Sequence, residues 1–165
     1  MTDSRIVDPG HAPTPFTADE IRMGCPQGRQ VTVVHLGPDE TSEYWTTTFA
    51  KTDQETALLI NQQVGEDGQP LGGASELVAT WDELQAHASF PAINTTISEV
   101  EVATPIGQMH CLLYEVTDGP TTKRLWFAKS LPGLPIKTTY LKDDRAELET
   151  VVVRDTQAEP PDYSD

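Results

Sequence analysis

The chain has 165 residues, enough for one hydrophobic core, and carries 26 acidic against 11 basic residues for a formal net charge of −15. A field of that sign repels phosphate backbones and anionic headgroups, so nucleic acid and membrane surfaces are poor partners, and no apolar run reaches spanning length. A basic protein would be drawn in, but the simpler reading of such a surface is a soluble monomer.

Residues 1–15, MTDSRIVDPGHAPTP, are polar, aperiodic and Pro-containing, and read as a disordered tail. They hold no basic segment followed by an apolar run, so the expected location is cytoplasmic. A short helix follows. Thr17 and Glu20 have capping-box spacing, Phe16 and Ile21 are placed as a hydrophobic staple, and Gly24 with Pro26 stops the helix. From Gln30 the pattern turns to strand: VTVVHL, then EYWTTTFA after Gly37-Pro38-Asp39, then residues 57–64. Gly65 to Gly73 reads as a flexible loop. A second capping box, Thr80 with Glu83, opens a helix whose Trp81, Leu84 and Ala88 form one apolar stripe, closed by Pro91. Its place is across a sheet.

Beyond Pro91 the chain is strand and turn. SEVEVATP, MHCLLYEV, TTKRLWFA, LPIKTTYL and ELETVVV are joined by short turns at Pro105-Ile106-Gly107, Asp118-Gly119-Pro120, Leu131-Pro132-Gly133 and residues 142–145. Turns that short cannot make parallel crossovers, so the five strands form an antiparallel meander. Residues 157–165 read as a second disordered tail, leaving a single domain at 16–156.

Signatures of chemistry are sparse. His110 and Cys111 are consecutive on a strand and face opposite sides, which argues against a shared metal, and no Cys or His pair has ligand spacing. Cys111 alternates with Met109 and Leu113 as a small core residue would, and Cys25 and Cys111 are expected to be free thiols. There is no nucleophile elbow and no phosphate loop. No metal, cofactor or enzymatic activity is expected. Trp45, Trp81, Trp126, Phe127 and Tyr140 are the candidate lining of an apolar cavity, or else simply core. Arg124, beside Trp126, is a candidate anchor for an anionic head group or a plain surface charge.

The succession TP-x-G-x-x-x-C at 104–111, WFA at 126–128 and GLPIK at 133–137 resembles bacterial half-barrel proteins, the group of periplasmic lipoprotein carriers and uncharacterised secreted domains. The match covers about the last third of the chain. The resemblance implies an antiparallel sheet curled around one or two helices, with an apolar concavity able to hold acyl chains.

The fold expected is α+β, a mostly antiparallel curled, half-barrel-like sheet with two short helices. The function expected is a non-enzymatic binding module with an apolar small molecule on the concave face of its sheet. The alternative is a protein-interaction domain that uses an acidic face or a sheet edge for a partner.

Overall fold

The computed structural model describes residues 3–157. Most of the segment read as a C-terminal tail, residues 158–165, lies outside the described residues. Helices α1 (Ala18–Gly24) and α2 (Trp81–Ala86) lie against one nine-stranded antiparallel sheet in the order β4-β3-β2-β1-β9-β8-β7-β6-β5. The strands are β1 (Gln30–Leu36), β2 (Ser42–Thr52), β3 (Thr56–Val64), β4 (Ser75–Thr80), β5 (Thr95–Thr104), β6 (Gly107–Asp118), β7 (Thr121–Ala128), β8 (Lys137–Lys142) and β9 (Arg145–Asp155). The sheet is curled and not closed, leaving β4 and β5 as its edges. Register shifts at Thr32/Val33, Phe49/Lys51 and Tyr140/Leu141 supply the local bends that a curled sheet needs.

The expected meander is present as β5 to β9. Its hairpins have local causes. Gly119 takes φ +61° ahead of Pro120, and Asp143 and Asp144 take φ 52° and 62°, the positive-φ pair of a turn whose twist matches its strands. The segment LPI departs from expectation. β8 begins only at Lys137, and residues 129–136 form a loop that tucks Leu131 and Ile136 inside.

Both helices start as their sequence dictates. Thr17 Oγ1 accepts from the Glu20 amide at 3.1 Å and Thr80 Oγ1 from the Glu83 amide at 3.0 Å, while each glutamate reaches back to its cap's amide. Each helix is two turns or fewer and owes its stability to docking. Thr80→Ala is expected to cost about 1 kcal/mol, seen as a lower denaturant midpoint at constant slope.

Two apolar clusters hold the sheet. One, under the helices, joins Phe16, Ile21 and Trp81 to Phe49, Leu59, Tyr114, Leu125 and Phe127. Its rings pack edge to face, Phe16 to Phe127 with centroids 6.3 Å apart and Phe127 to Tyr114 at 5.3 Å. The other gathers Val31, Cys111, Ala128, Leu131, Ile136 and Val152.

The N-terminal segment read as a loose tail is held to this body from Ser4 onward. The Ala12 amide donates to Phe90 O at 2.8 Å, the Tyr114 hydroxyl to Pro13 O at 2.6 Å, and Gln85 Nε2 to Ser4 O at 2.8 Å and Thr14 Oγ1 at 3.0 Å. Ala12 and Thr14 are buried. A polar, aperiodic stretch can be ordered when its backbone groups find partners elsewhere in the fold, and these partners lie about 70 to 100 positions away.

Candidate functional site

Two places could serve function: the space beneath the helices and the open edge at β4. The first is a cavity of about 110 Å³. Ile21 of α1, Leu84, His87 and Ala88 at α2, Phe49 and Phe127 of the sheet, and Leu134 of the 129–136 loop are among its walls. Small-molecule pockets usually run from roughly 300 to 1,000 Å³, so this space is short of what an acyl chain fills. Beside it the rings of Phe16, Phe127 and Tyr114 pack edge to face.

The five aromatic candidates are dispersed. Phe127 alone among them lines the cavity. Trp81 is buried at the head of α2, its indole N–H donating to Asp53 O at 2.9 Å. Trp126, next to Phe127, points to the opposite face, where Lys137 Nζ stands 5.0 Å from its ring. Register and alternation put Trp45, paired with Val33, and Tyr140, paired with Leu148, on the helix-facing side but beyond the helices' cover. Trp45 is half-buried with its indole N–H 3.4 Å from Glu43, and Tyr140 is exposed. The set is therefore not one lining. Arg124 is engaged by Glu115 at 3.2 Å, a cross-strand pair on β6 and β7.

The thiols are free and buried. Burial pushes Cys25 above the ordinary thiol value, with the nearby Arg29 guanidinium opposing the rise, and pushes Cys111 to about 11. Burial likewise lifts the Tyr114 hydroxyl to about 12. Neither thiol is an activated nucleophile, and both should react slowly with an aqueous thiol reagent until the protein unfolds. Folded-state values above the unfolded 9.0 and 10.0 mean that the fold retains protons the unfolded chain gives up. Stability from these groups is whole below pH 9 and is lost as pH rises through 11 and 12. Denaturation midpoints measured across that range should fall, and Cys111→Ala should make the fall shallower.

The second place is β4. Among the described residues it pairs on one side only, with β3. Leu77 pairs with Leu59 on the helix-facing side and Val78 with Leu58 on the other, so an apolar strip runs out to the edge on each face. There Leu77 is 49% and Val78 63% exposed. The sequence reading passed over this strand. Its signal was SELVAT, a six-residue run of mixed polarity directly before the α2 cap, which does not alternate cleanly because both faces are apolar at the centre.

No protein-family model matches the chain, and no curated protein does. Solved structures do. One is a putative lipoprotein from Parabacteroides distasonis, at 7% identity and TM-score 0.54 over 80% of this chain and 96% of that one. A second is a putative exported protein with a YmcC-like fold from Bacteroides fragilis, at 8% identity and TM-score 0.50 over 79% and 96%. A third is MucB in the Pseudomonas aeruginosa MucA/MucB complex, at 13% identity and TM-score 0.56 over 82% and 53%, so the chain spans about half of MucB's length. At such identities the likeness is one of fold, and it extends over about four-fifths of the chain rather than the last third. The cytoplasmic placement does not stand: it rested on an unremarkable N-terminus, and the fold is that of lipoprotein-like and exported proteins. The chain carries the half-barrel-like fold of these bacterial proteins.

Proposed function

We propose that this protein is a non-enzymatic interaction module that takes a segment of a partner protein at the β4 edge of its sheet. The observation that carries this is the pairing of a filled interior with an open edge: about 110 Å³ beneath the helices, against Leu77 and Val78 left in solvent where a further strand would cover them. MucB, a neighbour in fold, is solved in complex with MucA, which supports a protein partner. The exported and lipoprotein neighbours support work outside the cytoplasm. The apolar-ligand reading is the weaker one, because an acyl chain would have to displace Phe127 or lift α2.

Native mass spectrometry of freshly purified protein, with a fluorescent fatty acid titrated in parallel, separates the two. The expected mass is that of the chain alone, with no saturable probe binding tighter than about micromolar. A co-purifying apolar molecule, or tighter probe binding, would overturn the proposal in favour of a carrier.

A further inference from the structure

The two halves of the sheet differ in charge as well as in exposure. Residues 37–90, which hold β2, β3, β4 and α2, contain ten Asp and Glu and a single cation, Lys51. Residues 95–157, which hold β5 to β9, contain nine acidic and seven basic residues. The strong negative field is therefore concentrated on the half that ends at β4. On that strand Glu76 is exposed and shares with Val78 the face turned away from the helices. Where the strand ends, at Thr80, a cleft of about 360 Å³ is lined by Asp19, Glu55, Asp82 and Trp81 and by no Lys or Arg.

β4 also lacks several of the devices that usually protect an edge. It holds no Lys, no Pro and no bulge against β3. The other edge differs: Glu99 and Glu101 of β5 are already engaged by Lys129 and His110. An acidic edge with apolar side chains on both faces is complementary to a strand of opposite charge.

We infer that the segment taken at β4 is an extended cationic one, with Lys or Arg opposite Glu76 and apolar residues opposite Leu77 and Val78. This rests on the functional reading above and adds the partner's chemistry to it. Main-chain bonding to the free edge of β4 supplies the affinity. Apolar side chains continue the Leu59–Leu77 and Leu58–Val78 strips. The cations fall opposite Glu76 and toward the Thr80 cleft. Lys51 pairs with Leu58, which puts a positive charge near Val78 on that face, so the partner residue beside Val78 is apolar rather than basic.

The test uses the full chain and two capped synthetic peptides of equal length, one repeating Lys-Val-Val, the other Glu-Val-Val, read by hydrogen exchange at residues 75–80. The Lys/Val peptide is expected to protect those amides and the Glu/Val peptide to bind about tenfold more weakly or worse, with the difference shrinking as salt rises. In the variant Leu77→Lys/Val78→Lys the protection should vanish while the melting temperature holds, since both side chains are exposed. Equal protection by the two peptides would overturn the cationic preference and leave the edge as the site. Protection by neither would overturn the edge itself. Lys/Val binding that survives the double substitution would mark diffuse charge attraction and overturn the inference.

Discussion

Asp155→Ala is expected to destabilise the fold by about 3–5 kcal/mol, because it strands a buried cation. Arg29 and Asp155 are each 2% exposed. Arg29 Nε donates to Asp155 Oδ1 at 3.2 Å and Nη2 to Oδ2 at 2.6 Å, the two-point contact that a planar guanidinium makes with a carboxylate. Nη1 donates to Gly24 O at 3.1 Å, to Pro132 O at 2.6 Å and to Cys25 Sγ at 3.1 Å. One side chain thus ties the end of α1, the 129–136 loop and the end of β9 together. Burial works against the Arg29 charge, and the bond to Asp155 together with the Cys25 sulfur more than offsets it, so its pKa stands above the ordinary value. Removing the carboxylate leaves the burial penalty without the compensation. Urea denaturation would read the loss as a shift in midpoint. The double replacement Arg29→Met/Asp155→Leu should recover much of it, since two apolar groups in that space carry no charge to desolvate. A single-variant loss under about 1 kcal/mol would mean that the guanidinium finds water or another acceptor when the carboxylate goes.

Phe127→Ala should cost about 3–5 kcal/mol, the range for cutting a packed ring to a methyl group. Phe127 is 2% exposed and stands between Phe16 and Tyr114, so the void it leaves has no solvent to fill it. Trp126→Ala should cost clearly less. That ring is half-buried on the other face and keeps one side against the Lys137 ammonium. Binding of a fluorescent apolar probe, followed in both variants, adds a second readout. Enlarging the 110 Å³ space by removing Phe127 should let a small apolar probe enter where the parent excludes it. Equal losses from the two substitutions would mean that the two faces are equally packed, contrary to the burial of these rings.

Much of this arrangement could be read before any coordinates. Thr17 with Glu20 and Thr80 with Glu83 announce helix starts because the bonds that make a capping box lie within four residues. The β5 to β9 meander is legible for the same reason: Gly119-Pro120 and Asp143-Asp144 carry their turn geometry locally, and apolar runs between such turns must pair with their neighbours. The opposite facing of Trp126 and Phe127 follows from strand alternation alone. The candidate site was less legible. Trp45, Trp81, Trp126, Phe127 and Tyr140 formed a set only by type, and composition does not say which rings share a face or which lie beneath a helix.

Register and burial decided those points, and both depend on residues far apart in the chain. Arg29 meets Asp155 across 126 positions and Tyr114 meets Pro13 across 101, so neither the buried ion pair nor the seated N-terminal segment leaves a local pattern. β4 shows the same limit most plainly. SELVAT reads as a weak strand in any context, and whether Leu77 and Val78 are covered depends on which strand comes next in the sheet. Helix starts, turns and side-chain parity were determined by the sequence itself, because each is settled by bonds and sterics within a few residues. The edge, the small cavity and the shared burial of Arg29 and Asp155 were decided only by tertiary structure, because each is a relation between segments that only the closed packing brings together.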